Sequence, residues 1–367
     1  MQPVLQNITS TQSQARQATR RNWIDYARGI AIILVVFKHV TDGLVNMQAD
    51  INLGPYDFCK LFYYARMPLF FVISGIYIRK SFEKRGLPGF IRYKFSTILY
   101  PYLVWATLQI TFQLVANRYS VGNTPRTALD YLYLFYQPHQ LDQFWFLYVL
   151  FTGAVLFALL QFYFRLGKSA MLLVGTATYI LFYYLPADFF VFGIKTVCKF
   201  LFYIALGDAI ARTMLKPENF DKFSSLKLTA IFIALFAALK LVMNVYEVPE
   251  QETDFFSLQN ALLLLSIFSG IAMILNISFV LDRFNLLVFL RKIGKHSLYI
   301  YTMHIIINGI TRAILFKIGL SQYPNIALYL VTAFSIGLPI LLYKLFNQWG
   351  LWFLYTPQKK TQNALTV

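Results

Sequence analysis

Apolar residues gather into ten long runs, near 24–45, 59–79, 96–116, 144–164, 169–186, 190–210, 226–246, 258–281, 297–317 and 325–348. Coiled as helices, runs of this size reach across about 30 Å of hydrocarbon. The pattern predicts an all-α, polytopic integral membrane protein with about ten transmembrane helices. No shift in composition separates a second domain. Residues 1–22, rich in Gln, Ser and Thr, are expected to form a disordered cytoplasmic tail. Residues 23–350 are the membrane domain, and 351–367 are expected to be a cytoplasmic C-terminal tail. The first run follows Arg20, Arg21 and Arg28 and is not trailed by a small-residue cleavage site, so it reads as a retained signal anchor.

Composition supports this reading. The chain has 367 residues, of which 58% are hydrophobic and 13% charged, against roughly 25% charged in soluble domains; the mean hydropathy is +0.55. The net charge of +17 is distributed unevenly. With the N-terminus inside, most lysines and arginines fall on inner segments, while the outer loops hold Lys60, Arg118 and Arg126 together with the acids Glu247, Glu250, Glu252 and Asp254. The positive-inside rule then places both termini in the cytoplasm. No soluble segment carries a basic patch with interleaved aromatics, so nucleic-acid binding is not indicated. Cys59 and Cys198 match neither a disulfide framework nor a metal-ligand spacing.

Ionisable side chains inside apolar spans are costly and mark functional positions. In the first run Arg28 and His39 stand out. Eleven helical steps return to within roughly 20° of the starting direction and rise about 16 Å, so the two share a face about half a membrane apart. A neutral imidazole in that setting is a natural general base. Asp42, three residues on, can orient the second ring nitrogen or can be an ordinary carboxylate near the end of the span. Arg28 either anchors the helix at the boundary or binds an anion, and Asp25 lies one turn before it. His304 lies about 10 Å into the ninth run, where it can meet a ligand or bond across helices. His139 and His296 fall in loops and read as solvated, and Lys195, Lys199, Lys240 and Lys344 are near span ends from which they can snorkel. The longest outer connection, 117–143, is rich in turn formers and hydrogen-bonding groups, suited to capping a polar cavity or contacting a glycan.

Three further runs extend the pattern: Arg66-Met-Pro-Leu-Phe-Phe-Val-Ile-Ser74-Gly75, Phe144-Trp-Phe-Leu147, and His296-Ser-Leu-Tyr-Ile-Tyr-Thr-Met-His304. Together with the arginine, ten residues, histidine spacing of Arg28 and His39, and in this order, they resemble the acyltransferase 3 family of integral membrane O-acyltransferases. The likeness covers about 20–348. It implies transfer of an acyl group, usually acetyl from cytoplasmic acetyl coenzyme A, to a hydroxyl of a surface or lipid-linked glycan in the bacterial inner membrane. Polysaccharide-assembly proteins and membrane lipids are the implied partners; coenzyme A enters as co-substrate, with no bound cofactor or metal. On this reading His39 and Asp42 are catalytic, and Arg28, Arg85, Arg92 and Lys94 bind the donor. Arg66, Ser74, Trp145, Tyr301 and His304 line the acceptor cavity. Members often carry an Arg-x-x-Arg pair at the start of the third span; here Arg92 has Phe95 where the second arginine would fall. No serine or cysteine nucleophile motif is visible, which favours direct transfer. A transporter or flippase for a lipid-linked glycan would also have many spans and buried charges, but would be expected to show internal repeats, and none stands out between the halves.

Overall fold

The computed structural model describes residues 22–118, 126–186, 189, 191–246 and 255–358. The acids Glu247, Glu250, Glu252 and Asp254, the N-terminal tail and residues 119–125 of the long connection lie outside the described residues. The described residues form helices and no strands. The longer ones are α1 (Asn22–Val45), α2 (Tyr63–Lys94), α3 (Tyr100–Arg118), α4 (Trp145–Phe164), α5 (Lys168–Tyr184) and α6 (Ile194–Leu215). They continue with α7 (Leu226–Val245), α8 (Leu258–Arg283), a short amphipathic α9 (Val288–Lys295), α10 (Ser297–Lys317) and α11 (Pro324–Gln348).

Six helical stretches among the described residues are long and apolar enough to cross a membrane: Tyr63–Asn117, Asp142–Phe164, Leu226–Val245, Leu258–Arg283, Ser297–Lys317 and Pro324–Gln348. The difference from the expected ten has identifiable causes. Tyr63–Asn117 holds two of the expected runs in one helical stretch of 55 residues. It breaks at Gly86, where φ is 63° and ψ 176°, and Pro88 follows; a π-helical turn spans Phe95–Leu99. A left-handed φ at Gly86 costs little without a Cβ, and the bend falls between the expected runs. Helix α1 carries Asp25, Arg28, Lys38 and Asp42, α6 carries Lys195, Lys199, Asp208 and Arg212, and α5 has only 17 residues. Charge and length therefore remove these three from the apolar set, although each is helical.

Helix α1 is the hub of the bundle and packs against α2, α8, α9, α10 and α11. Close approach is made by small residues, as membrane interfaces require. A Cβ on Gly29 would strike the Leu290 carbonyl and one on Gly294 would strike that of Asp25, so α9 lies directly on the first turns of α1. The same device joins α2 to α6, where a Cβ on Gly75 would strike the Ile204 carbonyl and one on Gly207 that of Val72. Phe71 stacks on Phe200 at 4.2 Å across this crossing, and Trp23 stacks on Phe279 at 4.3 Å between α1 and α8. Helix α7 is peripheral and buries only Phe236 and Met243.

A paired charge sits within the α2–α6 crossing. The Arg79 guanidinium donates through Nε to both Asp208 oxygens at 3.0 Å and through Nη2 to Oδ2 at 2.6 Å, while Nη1 reaches Gln161 Oε1 at 2.8 Å and the Leu166 carbonyl at 3.1 Å. At the start of the expected C-terminal tail, residues 352–355 pack back on the bundle. Tyr100 Oη and Trp105 Nε1 donate to the Phe353 and Leu354 carbonyls at 2.7 and 3.0 Å, and the buried Tyr355 donates to Met303 Sδ at 3.2 Å.

Candidate active site

Helices α1 and α10 bring the two span histidines together. The His39 and His304 ring centroids are 5.3 Å apart, with the ring planes tilted by 43°. His39 is half-buried, whereas His304 has no exposed surface. Nδ1 of His304 lies 2.8 Å from the Tyr301 carbonyl and 3.2 Å from that of Ile300. A carbonyl can only accept, so this nitrogen carries the hydrogen and Nε2 keeps its lone pair. Nε2 is buried without a hydrogen-bond partner among the described residues. The tautomer of His304 is thus set by its own helix, and its acceptor nitrogen receives no donor among the described residues.

Other cavity candidates surround this pair. Asn308, one turn beyond His304, donates to the backbone carbonyl of His39 at 3.2 Å. The Tyr301 ring lies 5.8 Å from His304 and 5.2 Å from Phe146, and its hydroxyl donates to the Gln143 carbonyl. Arg66 is buried, donates to the Leu34 carbonyl at 3.2 Å and lies over the Tyr63 ring at 4.6 Å. It is within electrostatic reach of His39 and Tyr301, and its Nε has no hydrogen-bond partner among the described residues.

Asp42 is not brought to the His39 ring. Lys38 pairs with one of its oxygens, and Tyr56 donates to the other at 2.9 Å. Burial, with that bond to Asp42, pushes the Tyr56 phenol up to about 12, so it stays a proton donor at neutral pH. The spacing of three residues allowed a contact, but a lysine at i−4 and a tyrosine from the short helix Gly54–Lys60 occupy both carboxylate oxygens. Trp145 is half-buried and stacks on His139 at 5.6 Å, with Phe200 at 5.7 Å. His139 differs from the solvated loop residue expected: it is half-buried and meets Thr196 Oγ1 at 2.7 Å. Burial pushes its imidazole down to about 4, which leaves it neutral. Ser74 is half-buried beside Gly75 at the α2–α6 crossing.

Near the other end of α1, Lys94 is buried within electrostatic reach of Arg28 and Arg85. Arg85 lies over the Tyr93 ring at 4.0 Å and bonds Ser81 Oγ at 3.1 Å. Among the described residues no salt bridge involves Arg28, Arg85 or Lys94, although Asp25 acts on Arg28 from a turn away. Three clustered cations with one acid among them are suited to a polyanion. Arg92 is exposed.

Several residues that hold the site were not singled out in the sequence. Gln143, whose carbonyl receives Tyr301, has its side chain bonded to Gln109 at 2.8 Å, and Gln109 reaches Asp142 at 2.8 Å. Arg126 ties Asp142 at 3.0 Å, Gln113 at 2.9 Å and the Gln140 carbonyl at 2.7 Å. The described part of the long connection is therefore clamped over the end of α3. A buried glutamine pair on two helices has no one-dimensional signature. Arg312 and Asn308 do have one, since they continue from His304 at four-residue spacing. No group of three or more potential metal ligands occurs among the described residues.

This helical membrane bundle, with a histidine pair at its hub, matches the acyltransferase domain family over residues 21–344. The chain belongs to that family. Nodulation protein NolL of Mesorhizobium japonicum is 28% identical over 144 residues, 39% of this chain and 36% of that protein, so the likeness spans about a third of the curated relative's length. No solved structure matches.

Proposed function

We propose that the protein moves an acyl group, acetyl from acetyl coenzyme A, to a hydroxyl of a cell-surface or lipid-linked glycan in the bacterial inner membrane, with His39 as general base. The observation that carries this is the His39–His304 pair at the hub of the bundle. In the working enzyme the half-buried ring meets the substrate and turns its N–H to the unsatisfied acceptor nitrogen of the fully buried one, so His304 does the orienting that Asp42 was expected to do. His39 takes the proton of the acceptor hydroxyl, the oxygen attacks the thioester carbonyl, the C–S bond breaks, and the coenzyme A thiolate leaves with the proton returned by the imidazolium. Arg66 stands beside the pair and stabilises the oxyanion that forms.

The cluster of Arg28, Arg85 and Lys94 receives the phosphates of the donor, about 16 Å of helical rise below the base, a separation that suits an extended pantetheine arm. Ten crossings with both termini cytoplasmic put this cluster on the inner face and let the acceptor approach from the outer one. Two experiments test the reading. Transfer of radiolabelled acetyl in sealed, oriented vesicles is expected only with the donor inside and the acceptor outside. Activity with both substrates confined to the inner side would overturn opposed access. Arg28→Ala is expected to raise the Michaelis constant for acetyl coenzyme A by roughly tenfold with little change in kcat, because it removes ground-state binding of an anion. An unchanged constant would return Arg28 to anchoring the helix.

A further inference from the structure

Arg312 has no role in the scheme above, yet it is a half-buried cation within α10. No carboxylate among the described residues forms a salt bridge with it. Its guanidinium lies against α1 at Gly43, where Nη1 occupies the space a Cβ would need, and the Asn308 amide nitrogen is 3.7 Å from the same point. Unpaired cations inside a membrane domain are costly and mark ligand paths. The setting shows which path. His304, Asn308, Arg312 and Phe316 recur every four residues along α10 and so form one stripe, while His39 and Gly43 face it from α1. Asn308 touches the His39 backbone, Arg312 rests on Gly43, and Phe316 with Met47 lines a pocket of about 590 Å³ beyond the end of α1. Gln48, Asp50, Gln322, Tyr323 and Asn325 also line that pocket, giving amides, a carboxylate and an aromatic ring suited to sugar hydroxyls.

Resting on the acyltransferase reading above, we propose that Arg312, with Asn308 beside it, is an oxyanion subsite for the acceptor, so that the glycan is an acidic one bearing a carboxylate or phosphate. The stripe on α10 runs from the His39 pair toward the pocket. Arg312 is about 12 Å of helical rise from His304, so the reacting hydroxyl and the anion lie on different parts of a ligand longer than one sugar ring. The planar guanidinium offers two parallel donors to an oxyanion, which lysine cannot reproduce. Glycine at position 43 is what admits the guanidinium between the two helices.

The test reads binding without turnover, on the full chain in detergent. Four probes are titrated: a glucuronic acid disaccharide, its glucose counterpart, farnesyl phosphate and farnesol. Tighter binding of one anionic probe than of its neutral counterpart is expected, and the probe that gains identifies carboxylate or phosphate as the source. Arg312→Gln should weaken the favoured anion by about tenfold or more, as expected for loss of a charged hydrogen bond, and leave the neutral counterpart unchanged; Arg312→Lys should recover part of the affinity. Gly43→Ala supplies a second route, because its Cβ displaces only the flexible end of Arg312; it should weaken the anion while thermal stability is kept. Equal binding of charged and neutral probes, or equal anion affinity in the wild type and Arg312→Gln, would overturn the subsite while leaving the acyltransferase reading intact. Acetyl transfer absent from the wild type, with anion binding still dependent on Arg312, would overturn the acyltransferase reading and leave the subsite.

Discussion

His39→Ala is expected to lower acetyl transfer by about a hundredfold or more, the range of a lost general base, with the Michaelis constant for acetyl coenzyme A nearly unchanged. The donor cluster is about 16 Å away along α1, so removing the imidazole should not disturb ground-state donor binding. Packing around the position should also survive. The ring is half-buried and meets His304 at 5.3 Å between centroids, while the α1–α10 bond from Asn308 uses the backbone carbonyl, which alanine keeps. The measurement is radiolabelled ester formation with membranes matched for protein content and thermal stability. Wild-type rates in that variant would sink His39 as the base. His304→Ala belongs in the same experiment. If His304 positions the base, its loss should lower kcat and move the pH dependence of transfer while leaving the donor constant alone, and His304→Gln, which restores an acceptor atom, should recover part of the rate.

The largest structural effect is expected at Asp208. Its carboxylate is 2% exposed and receives a forked set of bonds from Arg79, whose side chain is 17% exposed. Asp208→Ala leaves a guanidinium in the α2–α6 crossing with only Gln161 and the Leu166 carbonyl as acceptors among the described residues. Breaking a buried pair from one side costs about 3–5 kcal/mol, so the variant should unfold at a clearly lower temperature in detergent or fail to accumulate. The double variant Asp208→Leu with Arg79→Met should regain much of that loss, because two apolar groups leave no orphaned charge. A single variant as stable as wild type would show that water or lipid headgroups solvate Arg79 and that the pair adds little.

The arrangement of the site was legible in part. Arg28 and His39 stood out because each is ionisable inside an apolar run and the interval between them is within roughly 20° of three full turns. The same reasoning picked out His304, which does meet His39. It assigned Asp42 by proximity along the chain, and there it went astray, since Lys38 lies one turn back on the same helix and Tyr56 arrives from the short helix Gly54–Lys60 to take both oxygens. Arg79 and Asp208 look like unrelated boundary charges 129 positions apart and become a pair only when Gly75 and Gly207 let two helices touch.

Periodicity and composition by themselves determine that this chain is a helical membrane protein, where its apolar runs fall, and that Arg28 and His39 share a face. These are local properties: the hydrocarbon requires internally bonded helices of a given length, and helical pitch sets the angle between two positions on one of them. Which helices neighbour one another is decided by the tertiary structure alone. That decision makes His304 the neighbour of His39, clamps Tyr301 onto Gln143 and sets Arg312 against Gly43 with no salt bridge among the described residues. In a membrane the hydrophobic effect does not choose among neighbours, since lipid is as apolar as leucine. The choice rests on shape, small-residue contacts and interhelical hydrogen bonds, which depend on distances that no single helix contains.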